Sequence, residues 1–475
     1  MTPLLLSGTA IAPILVVLAL SALRVPSLRA GAAGLVSASL VAATVFRPGA
    51  AEVSDATWQL GPLVIEVAFI LLGGVTLSVV LSRTGAQDVI VDWLVRTDAG
   101  PDRVVTILLL VFGLTPFMES VTGFGLGVVI TAPLLVRIGL TPVRAVVAGL
   151  LGLVLVPWGS LGPGTLVAAQ LGGEDVTELG YRSAVLSLPV LVVSMVTVLV
   201  VLRRRPTPRL VAAAVTVVVI QWASLIAAHL TVGTPPAGVL ASGAVLLVLL
   251  ALLRFRAGGL PPVSAPLLRA LVPYLALLAG ILGATLLLGL LGDPRGLAWL
   301  SNPAVWINVA AVIALVTARR GAPVGPMLRS ALTTWGSVAG TAIVFMLIGI
   351  VMATAGMAEH LASVAARSGD VFLSLIPAIG ALGGYLTGSN TGAAAMFSAA
   401  TSGAASGLDA DTLVALAGQN VAGSYAIILS PPRVALALGV VTMSASRLPR
   451  AASRTLFIAV VTVTVLLGGA VFVMA

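Results

Sequence analysis

Four short polar stretches interrupt otherwise apolar segments, and their residue types are suited to binding a small anion. They read TPFMESVTGFG at 115–125, PWGSLGPG at 157–164, GGYLTGSNTG at 383–392 and GSYAIILSPPR at 423–433. Glycine and proline break helices. Each break exposes a helix N-terminus, whose free N–H groups attract a carboxylate or another small oxyanion, and a helix C-terminus, whose carbonyl groups suit a cation. Neutral hydroxyl and amide groups complete such a site. The candidate binding residues are Ser120, Thr122, Gly123, Ser389, Asn390, Thr391 and Ser430.

Two charged residues accompany these stretches, Glu119 in the first and Arg433 at the end of the fourth. An ionisable group inside a membrane is costly unless it is paired or wet, so each predicts a partner or a function. Glu119 is the candidate carrier of a coupling proton. Arg433 is a candidate ligand for a substrate carboxylate, because its guanidinium offers parallel N–H donors. Structural alternatives stay open: Glu119 bound to loop N–H groups, and Arg433 bound to helix carbonyls or to Glu119.

Three further titratable residues are weaker candidates. Glu66 is interpreted as a helix-end or interfacial group rather than a ligand. His229 and His360 could each titrate near neutral pH, but packing at the membrane interface is the favoured interpretation. We therefore expect no metal centre and no resident cofactor.

The composition shows whether the fold that positions these residues lies in water or in a membrane. Of 475 residues, 59% are hydrophobic and only 9% are charged, whereas a soluble domain carries about 25% charged residues. This excludes a cytosolic enzyme, a secreted domain and a disordered chain. The 25 basic residues are all arginine, and cysteine is absent. The sequence predicts an all-α integral membrane protein.

Apolar runs recur along the chain and indicate about twelve transmembrane helices. We place them at 3–22, 30–46, 60–81, 143–171, 181–202, 209–230, 236–253, 268–292, 303–318, 327–352, 411–443 and 455–475. The interrupted segments 104–136 and 371–406 are expected to be re-entrant hairpins, which do not cross. Arginine-rich loops then alternate with arginine-poor ones. The positive-inside rule predicts both termini outside a bacterial-type inner membrane.

The two halves of the chain resemble each other. Landmark pairs in one register are Phe117 with Tyr385, Gly139 with Gly407 and Pro163 with Pro431. The copies start on opposite predicted sides, which indicates an inverted repeat with discontinuous helices, an architecture of secondary transporters. The predicted units are scaffold spans (1–82), a first core copy (83–175, with hairpin 104–136 and broken helix 143–171), linking spans (176–354), a second core copy (355–445, with hairpin 371–406 and broken helix 411–443) and a last span (446–475).

Several of these motifs resemble the lactate permease family. They are FMESVTGFG, APLLVRIGLTP and GxxGxGTLVAAQLGG in the first copy, and LTGSNTGAAAMF and LVALAGQNVAGSYAIILSPPRVALA in the second. The resemblance covers roughly 80–175 and 340–445. It implies uptake of lactate or glycolate with protons, and a transport domain that moves against a scaffold. The Ser389-Asn390-Thr391 triplet also resembles the tip motif of sodium-coupled dicarboxylate carriers.

The sequence departs from the family pattern at three places. The first tip continues GFGLGVVI where the family has GFGTPVAI, Asn390 stands where aspartate is usual, and SPPR, with Arg433, replaces SPQS. These departures make the site more positive, which suits an anion, and they put cation coupling at the second tip in doubt.

We therefore expect a secondary active transporter, not an enzyme, that takes up L-lactate or a related 2-hydroxymonocarboxylate by proton symport. The alternatives are a sodium-coupled carrier of a sulfonate or dicarboxylate, and an anion channel. The expected partners are the organic anion and the lipid bilayer, and no nucleic acid. The sequence is compatible with a homodimer and does not fix the number of subunits.

Overall fold

The computed structural model describes residues 2–96, 103–123, 125–203, 207–257, 260–292, 296–318, 323–441 and 447–475. Within these ranges every regular element is helical, as the apolar composition predicts. An α-helix satisfies all backbone hydrogen bonds within one segment, which is what a lipid environment requires.

Twenty-two α-helices follow one another in the described residues. The first part of the chain forms α1 (Pro3–Ala22), α2 (Ser27–Val41), α3 (Ala50–Arg83), α4 (Ala86–Arg96), α5 (Val104–Leu108), α6 (Thr115–Thr122), α7 (Leu126–Arg137), α8 (Pro142–Leu151) and α9 (Pro163–Gly172). The middle forms α10 (Val176–Leu186), α11 (Leu188–Val201), α12 (Pro208–Thr231), α13 (Thr234–Ala257), α14 (Ala265–Leu290), α15 (Pro303–Ala318) and α16 (Val324–Thr354). The last part forms α17 (Met357–Ala366), α18 (Val371–Thr387), α19 (Asn390–Gly407), α20 (Thr412–Ala426), α21 (Pro431–Gly439) and α22 (Arg450–Met474).

Shorter segments connect some of these helices. π-helical turns at Ala42–Phe46 and Leu109–Leu114 follow α2 and join α5 to α6. 3₁₀ turns occur at Val156–Leu161, Ala298–Ser301 and Ile427–Leu429.

Ten helical stretches in the described residues are long and apolar enough to cross a membrane, and α10 with α11, bent by 40°, makes an eleventh if counted as one span. This supports a multi-pass membrane protein but differs from the predicted twelve. The predicted span at 143–171 is divided into α8 and α9, of 10 residues each. Helix α15 has only 16 residues. Conversely 104–122, predicted as half of a re-entrant hairpin, is by itself long enough to cross.

The helices pack in two groups that face each other. Helices α2 and α3 pack against α16, α15 packs against α3 and α14, and α1 packs against α2. In the other group, α18, α19 and α20 pack together, α9 packs on α19, and α6 packs on α7 and on the 3₁₀ turn after α8. Helix α13 packs on α6, and α22 packs on α18 and α20, although both were expected among the scaffold or terminal spans. Helix α16 of the first group packs directly on α19 of the second.

The first predicted break is displaced from its proline. Pro116 has no N–H, so the Phe112 carbonyl loses its helical partner. That carbonyl instead accepts a hydrogen bond from Gln221 Nε2 at 3.0 Å, and Thr115 Oγ1 donates to Leu110 O at 2.9 Å. The π-helical turn at Leu109–Leu114 accommodates this altered hydrogen-bond pattern without ending the helix. The helix therefore runs through Pro116 and ends at Thr122.

Close contact between α18 and α20 depends on small residues. A Cβ atom at Gly384 would overlap the Gly423 carbonyl oxygen, and one at Gly380 would overlap the Gln419 carbonyl oxygen. Small residues allow helix backbones to approach closely in membranes. This contact fixes the second interrupted segment against the second broken helix.

Candidate functional site

The first tip, residues 119–125, lies between α6 and α7 and contains a buried carboxylate. Gly123 (φ +68°) and Gly125 (φ +84°) turn the chain, and residue 124 lies outside the described residues. Glu119 is 2% exposed, and both of its carboxylate oxygens accept a hydrogen bond from the Gly125 N–H, at 3.0 and 2.9 Å. Gly125 is the N-cap of α7, so the carboxylate lies at the positive end of that helix.

The second tip, residues 387–392, lies between α18 and α19 and is built from neutral groups. Gly388 (φ +64°) ends α18, and Ser389 caps α19 by accepting a hydrogen bond from the Gly392 N–H at 3.4 Å. The Thr387 hydroxyl lies 2.8 Å from the Ser389 carbonyl, to which it can donate. Asn390 and Thr391 occupy the first turn of α19, each 6% exposed. Helix α19 therefore directs its N-terminus toward the same region as α7.

The two broken helices supply the other walls. After α8, the turn at Ser160 (φ +44°) and Leu161 (φ +65°) places two non-glycine residues at positive φ before Pro163 begins α9. Such backbone costs about 1–3 kcal/mol per residue and persists only where its surroundings enforce it. In the other broken helix, Ser430 separates the turn after α20 from α21. Helices α8 and α9 are therefore separate in the structure, as are α20 and α21.

All four breaks meet at one cavity of about 500 Å³. One wall comes from the two tips and the two broken helices. The other wall comes from α2, α3 and α16 and is mostly apolar, but it also includes Ser27, Ser337 and Thr341. The residues that line it include Glu119, Gly123, Ser160, Gly164, Thr387, Gly388, Ser389, Asn390, Thr391 and Arg433 on the polar side, and Leu28, Leu71, Val338 and Phe345 on the apolar side.

Arg433, in the first turn of α21, joins the two tips. Its Nη1 lies 3.6 Å from Glu119 Oε1, and its Nε donates to the Gly388 carbonyl at 3.4 Å. The side chain is 12% exposed, and Nη1 has no hydrogen-bond partner among the described residues. A buried ion pair is retained only at a considerable desolvation cost, and removing one member leaves an uncompensated charge. The cavity therefore contains a guanidinium that can still donate hydrogen bonds.

The structure brings six of the nine predicted site residues to the cavity wall and places three elsewhere. The six are Glu119, Gly123, Ser389, Asn390, Thr391 and Arg433. The Ser120 hydroxyl lies against Gly238 of α13, outside the cavity lining, and has no hydrogen-bond partner among the described residues. The Thr122 hydroxyl donates to the Met118 carbonyl of its own helix at 2.5 Å. Ser430 is fully buried behind Gly388, outside the cavity lining.

Four residues that the sequence pattern did not single out belong to the site or support it. Ser160 lines the cavity, and its hydroxyl has no partner among the described residues. Asn420, Thr165 and Ser183 form a buried hydrogen-bonded cluster next to Asn390. Thr165, Ser183 and Asn420 lie in α9, α10 and α20, and Ser160 lies in the turn before α9. The available signal was their polarity at membrane depth, which generally marks a packed or functional position.

The weaker candidates lie away from the cavity. Glu66 accepts a hydrogen bond from Asn302 Nδ2 at 2.8 Å, beside a second, mostly apolar depression between α3 and α15. His229 is 5% exposed rather than interfacial. Its Nε2 accepts from Trp158 Nε1 at 3.0 Å, and its Nδ1 lies 2.8 Å from Leu225 O. His360 pairs with Ser7 at 3.0 Å. These contacts account for all three as structural residues.

Comparisons with known proteins agree with the geometry. A protein of Escherichia coli (strain K12) named L-lactate permease is 26% identical over 447 residues, covering 79% of this chain and 78% of its own. One of Streptococcus iniae with the same name is 26% identical over 327 residues, covering 62% of this chain and 69% of its own. A third, of Salmonella typhimurium, is 35% identical over 117 residues, covering 24% of this chain and 20% of its own.

The chain also matches a model of an entire protein family. The family model described as L-lactate permease matches residues 7–257 and 295–473, which is most of the chain. Both tips and both broken helices fall within the matched ranges. The chain therefore belongs to the L-lactate permease family.

Proposed function

We propose that this protein imports L-lactate or a related 2-hydroxymonocarboxylate together with a proton. One observation carries the proposal: a single cavity, formed by all four helix breaks, holds Glu119 and Arg433 with 3.6 Å between their charged groups. The relatives named L-lactate permease support lactate as the first substrate to test.

The ion pair suggests how proton and anion are coupled. A substrate carboxylate that binds Arg433 would place two negative groups beside one guanidinium. In a low-dielectric site that arrangement is costly, and protonation of Glu119 restores neutrality. The proton and the anion would therefore enter the site together, and the neutral, loaded site could cross the membrane.

The same proposal includes an inverted repeat in a bacterial inner membrane, with both termini outside. The order of elements supports it: a long helix (α3 or α16), a turn at Gly85 or Gly356 with φ of +70° or +77°, a short helix (α4 or α17), an interrupted segment and a broken helix. The alternation of arginine-rich and arginine-poor loops supports opposite orientations of the two copies.

Single cysteines test this orientation directly, because the chain contains none. Ser82 is exposed at the end of α3, just before the first copy, and Ser368 is exposed between α17 and α18, near the start of the interrupted segment of the second copy. In intact cells an impermeant maleimide should label Ser368→Cys, whereas Ser82→Cys should react only after permeabilisation. Labelling of both from one side would reject the inverted arrangement.

Uptake in proteoliposomes tests the transport activity. Purified protein with an imposed pH gradient and no sodium should accumulate radiolabelled L-lactate, and a protonophore should abolish the accumulation. Accumulation that requires sodium would favour the sodium-coupled alternative. Flux far above carrier rates without accumulation would favour a channel.

Glu119→Gln tests the coupling role. We expect this variant to exchange internal for external lactate but to lose proton-driven accumulation, because a neutral amide still occupies the tip but cannot carry the proton. Glu66→Gln is the matched control, since it neutralises an intramembrane carboxylate that does not line the cavity. Unchanged accumulation by Glu119→Gln would overturn this assignment.

A further inference from the structure

A chain of buried hydrogen bonds connects the second tip to the first broken helix. Asn390 Nδ2 donates to Asn420 Oδ1 at 2.7 Å. Asn420 Nδ2 donates to Thr165 Oγ1 at 3.0 Å and to Ser183 Oγ at 3.1 Å. Thr165 Oγ1 donates to the Pro157 carbonyl at 2.7 Å. We call this chain the amide relay; it consists of Pro157, Thr165, Ser183, Asn420 and Asn390.

The direction of the relay is fixed at one end. A backbone carbonyl can only accept, so the single hydroxyl proton of Thr165 is used on Pro157. Thr165 Oγ1 can then only accept, which makes Asn420 present its NH₂ group there. Because the opposite face of the Asn420 amide is then its oxygen, Asn390 must offer its own NH₂ group to Asn420.

The free atom of Asn390 is consequently its carbonyl oxygen. Asn390 lines the cavity, and its Oδ1 is buried without a hydrogen-bond partner among the described residues. A buried acceptor without a donor is unfavourable, and a ligand that brings a donor gains correspondingly. Amide orientation is usually ambiguous, but here the network determines it.

Two buried atoms of cavity-lining residues thus need opposite hydrogen-bond partners, one an acceptor and the other a donor. Among the described residues, Arg433 Nη1, which lies 3.6 Å from Glu119 Oε1, is a cationic donor without a hydrogen-bond partner, and Asn390 Oδ1 is a neutral acceptor without one. Both belong to residues around the second tip, since Arg433 also donates to Gly388. A ligand that satisfies both atoms carries a carboxylate for the guanidinium and a hydrogen-bond donor for the amide oxygen.

We propose that Asn390 Oδ1 accepts a hydrogen bond from the 2-hydroxyl group of the substrate, and that Asn420 and Thr165 are positioning residues that keep this oxygen turned toward it. This inference rests on the proposed function and makes it more specific. The relay selects 2-hydroxy acids over 2-keto acids, which have no donor at that carbon, and over acids with no substituent there.

Competition against radiolabelled L-lactate in proteoliposomes tests the selection. For the wild-type protein we expect pyruvate and propionate to need about tenfold higher concentrations than L-lactate for half-inhibition, because each leaves the acceptor unpaired. Asn390→Leu should bring the three half-inhibitory concentrations within about twofold of one another.

Thr165→Val separates positioning from packing, because valine keeps the volume but provides no acceptor. The Asn420 amide can then turn over and bind Ser183 through its oxygen, and Asn390 would present NH₂ to the cavity. We expect the ratio of half-inhibitory concentrations, pyruvate to lactate, to fall about tenfold. Thr165→Ser, which keeps the hydroxyl, should restore the wild-type ratio.

The outcomes separate the inference from the proposed function. Proton-driven lactate uptake with equal inhibition by all three acids would leave the proposed function standing and overturn the relay. A Thr165→Val variant with reduced uptake but an unchanged ratio would also overturn it, since a purely structural residue would behave in that way. The absence of any lactate uptake by the wild-type protein would reject both.

Discussion

The two tips enclose the same cavity but are held in different ways. At the first tip, a carboxylate is held by one backbone N–H, from Gly125, and by a cation 3.6 Å away on α21. At the second tip, residues 387–392 include no ionisable side chain, and Asn390 is tied through Asn420 to α9 and α10. The first tip is therefore held by contacts to a charged carboxylate, and the second tip is held by hydrogen bonds between neutral groups.

Under the proposed function, this difference corresponds to separate roles for the two tips. A group that must change its charge during a transport cycle needs few fixed contacts, because each contact to the charged form opposes protonation. A group that must distinguish substrates needs a fixed orientation, because specificity arises when the wrong ligand leaves a buried group unpaired. Glu119 fits the first description and Asn390 the second.

The largest expected effect is that of Arg433→Gln. It removes the cation that pairs with Glu119 and that, in the proposed function, also binds the substrate carboxylate, so lactate uptake should fall at least about 100-fold. It should also lower the free energy of unfolding by about 3–5 kcal/mol, because Glu119 is left buried without compensation. Uptake in proteoliposomes and the thermal midpoint in detergent measure the two effects.

The double variant Glu119→Gln/Arg433→Gln distinguishes these causes. Removing both charges should restore most of the thermal midpoint and none of the uptake. If Arg433→Gln were as stable as the wild-type protein, Arg433 would not compensate the buried charge of Glu119, contrary to the contacts at the first tip. Arg433→Lys should be intermediate in uptake, since an ammonium lacks the planar fork of a guanidinium.

The glycine turns of the two tips should respond unequally to a methyl group. Gly123 has φ +68° and ψ −164°, a conformation essentially restricted to glycine, and an added Cβ would lie 2.7 Å from Ser160 Cβ. Gly388 has φ +64° and ψ 20°, which other residues adopt at a cost of about 1–2 kcal/mol, and its nearest neighbour would be 3.3 Å away. Gly123→Ala should therefore lower the thermal midpoint more than Gly388→Ala, and equal shifts would contradict the contrast.

Much of the fold follows from local residue chemistry. Glycine, proline and small polar residues at membrane depth mark all four breaks, because they cannot continue an apolar helix without help from neighbours. Pro116 shows the limit of that reasoning. Its effect depends on Gln221, more than a hundred residues away in sequence, which supplies the hydrogen bond that the proline loses. The number of spans differs from the predicted twelve for a similar reason, since only the fold shows where a broken segment ends.

The charged part of the site was predictable, and the neutral part was not. Pairing of Arg433 with Glu119 was one of the alternatives that the sequence left open, and the structure has that pairing. The amide relay joins residues from α9, α10, α19 and α20, which no spacing in the sequence brings together. The sequence also does not tell which way a hydroxyl group points. Ser120 and Thr122 were both predicted to bind substrate, and neither lines the cavity.

The smallest expected effect compares two threonines, one at each tip. Thr122 donates its hydroxyl to Met118 O within α6 and does not line the cavity, whereas Thr391 lines the cavity at the N-terminus of α19. Thr122→Val should keep lactate uptake within about twofold of the wild-type rate, since replacing a hydroxyl that satisfies only its own helix is nearly neutral. Thr391→Val should lower uptake by about threefold to tenfold, because a hydroxyl group is lost from the wall of the proposed substrate cavity. Initial rates in proteoliposomes measure both. A stronger effect at Thr122 would mean that the first tip also selects through its side-chain hydroxyls, and the division between a charged tip and a selecting tip would then be wrong.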